Sequence, residues 1–225
     1  TYVNISITEA DVDTAAIEWN GTNLTIHGKN LLLLMNLNNN TNDASIYQSN
    51  TLPNNLSPNC SSEVMGYFNS ACFFNTTTYL IVNGTSSLKF NNSFTVEAWV
   101  KPAAVDATEH IIVGKTASGT IWVIFELYLG TDNKFHFGID NGTEFAYAAN
   151  VVASATTPVK NSWYHVAGVL NDTNLTIYID GVYENATAYG SRRMFPSNLD
   201  VYIGAALNLN SPYYYGGWNG TIDEV

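Results

Sequence analysis

A chain of 225 residues with 46% hydrophobic content is long enough to bury a full core, and all-β domains of this length commonly form one unit. Only 12% of the residues are charged, eight Lys plus Arg against nineteen Asp plus Glu, for a formal net charge of −11. This balance excludes a basic surface able to neutralise phosphates, and with it nucleic acid and anionic membranes as expected partners.

Residues 1–28 read as an N-terminal arm. Val3, Ile5 and Ile7 alternate with Asn4, Ser6 and Thr8, which predicts a short strand. Thr8 and Asp11 are spaced to cap a brief helical turn over 11–16, and Trp19, Asn20-Gly21, Leu24 and Ile26 read as a strand pair. Three uses are open to such an arm. It can add strands to the main domain, end a preceding β-domain, or complete the sheet of another copy by strand addition, which would build a filament or surface layer. The chain starts at Thr1 without an initiator Met or a signal-like segment, which fits a processed secreted protein or a piece of a longer one.

No apolar run is longer than Leu31-Leu32-Leu33-Leu34-Met35, far short of the roughly 20 residues of a membrane helix, so no membrane insertion is expected. Residues 38–63 are rich in Asn, Ser, Thr and Pro and read as loop. Strands are predicted over 71–74, 79–82, 94–100, 120–129, 134–139, 145–154 and 201–204, and no helix longer than a turn or two. The clearest element is a hairpin over 162–182. Trp163, His165, Ala167 and Val169 share one face of its first strand, Tyr164, Val166, Gly168 and Leu170 the other, because strand side chains alternate. Leu175, Ile177 and Ile179 then alternate with Thr176, Tyr178 and Asp180. Asn171-Asp172-Thr173-Asn174 and Asp180-Gly181 supply turns, since Asn, Asp and Gly tolerate positive φ. Both faces carry apolar bulk, which predicts cover on both sides.

Trp163-Tyr164-His165-Val166-Ala167-Gly168 followed by Leu175-Thr176-Ile177-Tyr178-Ile179-Asp180-Gly181 resembles the signature hairpin of the laminin G-like jelly rolls, within the concanavalin A-like lectin and glucanase superfamily. Phe94-Thr95-Val96-Glu97-Ala98-Trp99-Val100-Lys101-Pro102, Ile111-Ile112-Val113-Gly114-Lys115 and Asn219-Gly220-Thr221-Ile222-Asp223-Glu224-Val225 resemble further strands of that family in the same order. The resemblance covers roughly residues 30–225 and makes 31–37 a core strand. It implies an all-β, antiparallel two-sheet sandwich over 29–225, with the arm over 1–28 as a β extension. It says little about activity, because this fold hosts lectins, adhesion modules, receptor domains and hydrolases.

Fourteen N-glycosylation sequons occur, at Asn4, Asn20, Asn23, Asn39, Asn55, Asn59, Asn75, Asn83, Asn91, Asn141, Asn171, Asn174, Asn185 and Asn219, where random placement would give about five. They read as a cell-surface glycoprotein or as a by-product of Asn- and Thr-rich composition; the style of that composition leans archaeal. Cys60 and Cys72 enclose a short polar stretch, which in an exterior protein predicts a disulfide worth about 3 kcal/mol, against two free buried thiols. The four histidines are scattered without zinc spacing.

Glycoside hydrolysis needs two carboxyls at a set separation. The Glu-x-Asp-x-x-Glu strand of laminarinase-type relatives has no counterpart here: Glu97 and Glu126 lack an acidic partner at spacing two, and Asp223 and Glu224 are adjacent. No enzyme is expected. The resemblance also implies a structural calcium ion held by Asp43 and Asp223, against local roles as an Asx-turn and a loop anchor. For binding, Tyr213, Tyr214, Tyr215 and Trp218 form an aromatic loop suited to stacking on sugar C–H faces, or to packing on the sheet rim. Arg192 begins an adjacent basic pair suited to an acidic sugar or partner carboxylate, or to solvent. The expectation is a non-catalytic extracellular or cell-surface module that binds glycan or a neighbouring surface protein, with the filament subunit as its rival.

Overall fold

The structure is a computed structural model that describes residues 14–19, 22–89, 93–117, 122–139, 150–171, 173–189, 198–207 and 214–225. In chain order the strands are β1 (Thr14–Trp19), β2 (Thr22–Gly28), β3 (Thr51–Leu52), β4 (Asn59–Met65), β5 (Ser70–Phe74) and β6 (Leu80–Val82). Then follow β7 (Phe94–Pro102), β8 (His110–Ala117), β9 (Trp122–Leu129), β10 (Phe135–Ile139), β11 (Val151–Ala153) and β12 (Tyr164–Leu170). The remaining ones are β13 (Asn174–Ile179), β14 (Val182–Ala188), β15 (Val201–Ile203), β16 (Ala206–Leu207), β17 (Tyr214–Tyr215) and β18 (Gly220–Asp223). Among the described residues the only helical element is a single 3-10 turn, Ser86–Leu88.

Two antiparallel seven-stranded sheets form a sandwich. One runs β11-β10-β9-β8-β15-β6-β3, here the β9 sheet; the other runs β14-β13-β12-β7-β18-β5-β4, here the β7 sheet. The core lies between them because alternate side chains of each strand point inward. Ala98, Val100, Val166, Leu170, Leu175, Ile177, Cys72, Phe74 and Ile222 meet Ile112, Phe125, Leu127, Leu129, Phe135, Phe137, Val201 and Ile203, all in one buried cluster. Each large side chain fully withdrawn from water there contributes roughly 1.5–3 kcal/mol. One pair of edges is closed by side chains of β14. Thr187 donates to the carbonyl of Val151 at 3.2 Å, Asn185 to that of Ala153 at 3.1 Å, and Glu184 accepts the N–H groups of Ala155 and Thr156 at 2.8 and 2.9 Å.

The predicted hairpin is β12–β13, in register from Val166 opposite Ile179 to Leu170 opposite Leu175. Asn171 makes its turn by accepting the N–H groups of Thr173 and Asn174 at 3.1 and 2.8 Å. Asp180 and Gly181, at φ of +52° and +77°, make the next turn, and β14 continues from it as a strand that sequence reading did not predict. Residues 14–16 belong to β1, paired with β2, and not to a helical turn. Residues 31–37 form no ladder strand, but Met35 exchanges both backbone hydrogen bonds with Val225, at 2.7 and 3.0 Å, and Met35 and Leu37 are fully buried. The stretch 38–63 contains strand after all: β3 and the start of β4 fall in it, because cross-strand pairing with β6 and β5 overrides a composition typical of loops.

Candidate functional site

Two rings of the predicted aromatic loop, Tyr215 and Trp218, pack onto the sandwich. Trp218 is 0% exposed and lies edge-on to His110, ring centroids 6.4 Å apart. It is therefore core, and the expectation of a sugar-stacking ring there is corrected. Gly216 and Gly217 allow this: a Cβ on Gly216 would lie 2.5 Å from Ile111 Cγ1, and one on Gly217 would overlap the carbonyl of Thr76. Tyr215 packs on Ile111, Tyr128 and Ala206, and its hydroxyl donates to the Oε1 of buried Glu126. Burial first, then the Glu126 charge, pushes the Tyr215 phenol far above its ordinary range. The backbone of Tyr214 pairs with Leu207. Tyr213 and Arg192 lie outside the described residues.

An open aromatic group sits instead on the outer face of the β7 sheet. On β7 the outward residues are Thr95, Glu97, Trp99 and Lys101; the register sets His165 of β12 beside Trp99 and Asp223 of β18 on its other side. The turn joining β4 to β5 brings in Tyr67, whose ring stacks on Trp99 with centroids 3.4 Å apart and planes 10° apart. Phe68 meets the same Trp99 edge-on at 6.1 Å. Trp163, just before β12, stands at 76° to Tyr67, and the Lys101 ammonium lies 4.9 Å from its ring centroid. Asp180 accepts the His165 N–H at 2.8 Å, and His165 Nε2 lies 3.8 Å from Glu97 Oε2.

Tyr67, Trp99, Trp163, His165, Asp180 and Gly181 line an open depression of about 540 Å³. Tyr67 is 46% and Phe68 50% exposed, and Met65 and Phe73 on the same hairpin are exposed as well. The outer face of the β12–β13 hairpin is covered in part: Ala167 and Thr176 are buried there, and His165, Val169 and Tyr178 half-buried, against the fuller cover expected from its apolar bulk. The signal was present in the sequence: Trp99 shares its strand face with Glu97 and Lys101, and Trp163 shares its own with His165, which marks solvent-facing sides.

The two predicted metal carboxylates differ. Asp43 is spent locally: Oδ1 accepts the N–H groups of Leu34 and Ser45 at 3.0 and 2.8 Å, and Oδ2 accepts the Ser45 hydroxyl and the Ser49 N–H at 2.8 and 2.7 Å. Asp223 is 0% exposed; Oδ2 accepts the Phe68 N–H at 3.0 Å, and Oδ1 is buried without a hydrogen-bond partner. Burial raises the Asp223 pKa, with the Phe68 and Tyr67 N–H groups pulling against it. Among the described residues no three of His, Cys, Asp and Glu gather as a metal-binding group. A calcium site at Asp223 would therefore draw on neutral oxygens, as that ion readily does.

Cys60 and Cys72 form the disulfide, bridging β4 and β5 at directly opposed positions and not within a loop. Of the sequon asparagines, Asn39, Asn55, Asn59, Asn75, Asn83, Asn171 and Asn185 are exposed, and Asn174 and Asn219 half-buried. Asn23 lies in β2, and Asn4, Asn20, Asn91 and Asn141 fall outside the described residues.

Residues 74–225 match the family model described as the concanavalin A-like lectin/glucanases superfamily, Laminin_G_3. The chain belongs to that superfamily. No curated protein matches it. Solved structures share the superfamily fold at low identity. The binding domain of Paraclostridial Mosquitocidal Protein 1 superposes with a TM-score of 0.62 at 13% identity, over 83% of this chain and 45% of that one. The binding domain of botulinum neurotoxin DC in complex with rat synaptotagmin II gives 0.61 at 14%, over 86% and 46%. Domain 4 of AbnA, an extracellular arabinanase from Geobacillus stearothermophilus in complex with arabinotriose, gives 0.58 at 15%, over 86% and 89%. This superfamily member thus spans a little under half of the toxin binding domains and nearly all of the arabinanase domain.

Proposed function

We propose that this domain is a non-catalytic, extracellular recognition module that takes a glycan on the outer face of its β7 sheet. The observation that carries the reading is the open group of Tyr67, Trp99, Trp163 and His165 around a depression of about 540 Å³. Large aromatic rings left half in water on a stable sheet offer flat, polarisable faces to sugar C–H groups, while Asp180 and His165 at the rim accept and donate hydrogen bonds to hydroxyls. Similar folds in the binding domain of a mosquitocidal protein and in an arabinanase domain that holds arabinotriose support a binding role over a catalytic one. The disulfide and the exposed sequons support an exterior location.

The test is a glycan array probed with the full chain and with Trp163→Ala, followed by calorimetry on any hit. The expected result is a neutral saccharide whose affinity falls roughly tenfold or more in the variant, as for a central aromatic anchor. Equal binding by both proteins, or capture of a surface protein with no saccharide bound, would sink the glycan reading.

A further inference from the structure

The strand register lays the open depression out as a row across β7, β12 and the end of β13. Trp99 stands beside His165. His165 in turn is tied to Asp180: the Asp180 N–H donates to the His165 carbonyl at 2.8 Å, and Asp180 Oδ1 accepts the His165 N–H at 2.8 Å. The stacked Tyr67–Trp99 pair therefore bounds one end of the row and the Asp180–Gly181 turn the other. Trp163, one residue before β12, borders the row on the side where that strand begins.

Ring orientation limits what can stack here. Tyr67 and Trp99 are face to face, so Tyr67 takes one face of Trp99 and, at 46% exposure, turns its own far face to solvent. Trp163 stands at 76° to Tyr67, and Phe68 at 84° to Tyr67 and 88° to Trp99. A sugar ring stacked on Tyr67 meets Trp163 nearly at right angles. A second ring of the same chain then has no platform beside the first, because the Lys101 ammonium lies over the Trp163 ring, 4.9 Å from its centroid. An aromatic surface for an extended polysaccharide needs rings side by side and facing the same way; this group has one stacking plane with upright rings around it. Its volume of about 540 Å³ falls in the range of about 300–1,000 Å³ that a single small ligand occupies.

The polar end of the row favours a ring with free hydroxyls. Positive φ at Asp180 and Gly181, +52° and +77°, fixes the turn, and the space beside Gly181 is open. Asp180 Oδ1 is engaged by the His165 N–H, while among the described residues no hydrogen bond engages Oδ2. A fixed, exposed carboxylate oxygen accepts charge-assisted hydrogen bonds from hydroxyls. The residue at a chain end keeps the hydroxyl that an internal residue gives up to the next linkage. We infer that this site holds the terminal, non-reducing residue of a neutral glycan, a single ring stacked on Tyr67 against Trp163 with its hydroxyls on Asp180. The inference rests on the glycan reading above and adds which part of a glycan is held.

The experiment uses the full chain and a fixed set of probes. These are the methyl glycosides of glucose, galactose, mannose, N-acetylglucosamine and arabinose, and for each the linear trisaccharide of the same sugar, with and without a methyl ether on the chain-end hydroxyl. Calorimetry gives affinities, and saturation-transfer NMR reports which residue touches the protein. For a sugar that binds, methyl glycoside and trisaccharide are expected to agree within about threefold, with saturation concentrated on the terminal residue. The methyl ether should weaken binding roughly tenfold. Tyr67→Ala and Trp163→Ala, each checked for folding by far-UV circular dichroism, should weaken the methyl glycoside roughly tenfold or more. Asp180→Asn should do so as well, since Asn tolerates the positive φ and only the charged oxygen is lost. An affinity that climbs roughly tenfold or more from methyl glycoside to trisaccharide, saturation spread along the chain, or equal binding of the end-blocked trisaccharide overturns this inference and leaves the glycan reading standing. So does undiminished binding by folded Tyr67→Ala or Asp180→Asn when Trp163→Ala is weakened, or a longer glycan bound on the array while no methyl glycoside binds. A blank array together with a blank set of probes, or wild-type binding by Trp163→Ala, takes down the glycan reading and this inference with it.

Discussion

The outer faces of the two sheets carry similar chemistry and opposite accessibility. On the β9 sheet Tyr128, Ile111 and Glu126 lie under Tyr215 of the short β16–β17 pair, and Trp218, three residues further on, is buried in the core. On the β7 sheet Trp99, Trp163 and Tyr67 have no such cover and border an open depression. Aromatic content therefore does not mark a binding face. What marks it is whether a neighbouring segment can lie flat on the rings, and the glycines at 216 and 217 permit that on one side only.

The largest effect is expected from breaking the covered side. Trp218→Ala should cost about 3–5 kcal/mol, the range for emptying a large aromatic from a packed core, and urea unfolding measures it. If the variant instead keeps wild-type stability, the ring is not core and the contrast between the faces collapses. Replacing both Cys60 and Cys72 by Ser should cost about 3 kcal/mol, because the unfolded chain regains the conformational freedom that closing a loop of this size removes. A matched loss of saccharide affinity would show that the β4–β5 pair must be held for Tyr67 to reach Trp99.

Lys115 of β8 is 1% exposed, its ammonium donating to the Leu88 carbonyl, and burial lowers its pKa to about 8, with Asp200 pulling the other way. Its ordinary value is 10.5, so between about pH 8 and 10.5 the unfolded chain binds the proton that the folded chain has released. Stability attributable to this group must then rise with pH across that window, by on the order of 3 kcal/mol, and the cost of charging it is fully present below pH 8. Urea midpoints from pH 7.5 to 10.5 should show the rise in wild type and a flatter profile in Lys115→Met.

Smaller changes sharpen the comparison further. Tyr215→Phe removes the hydroxyl that donates to buried Glu126 and should cost about 1–2 kcal/mol without touching ligand binding. Trp163→Ala on the open face should do the converse, with less than about 0.5 kcal/mol lost in chemical denaturation and the saccharide signal gone. A stability loss of several kcal/mol in Trp163→Ala would mean that the open face is also structural.

Much of the architecture was legible in the residues. Alternation in 94–102 and 163–170, with Asn171 and Asp180-Gly181 as turns, carried strand, facing and hairpin register, because period-two patterning and turn chemistry are local. The disulfide followed from two nearby cysteines. The strands β3, β4 and β14 were hidden, since their Asn, Thr and Ser content reads as loop until a partner strand supplies the ladder. The aromatic site was half-legible: the parity of Trp99 with Glu97 and Lys101 was there to read, but nothing local placed Tyr67 on Trp99 from thirty residues away.

By itself, then, the order of residues determined what kind of domain this is. Its length, low charge, alternating strands and turn residues specify an antiparallel two-sheet sandwich, because those signals act over a few neighbours. Which rings are open, which are core, and where a carboxylate meets the carbonyls of a distant turn were decided only by the tertiary structure. Asp43 and Asp223 look alike in sequence, yet one is surrounded by amide and hydroxyl donors from its own loop and the other is buried facing a turn that starts 157 positions earlier, at Gly66. Burial and orientation of that kind come from which segments pack on one another, and no local pattern encodes that.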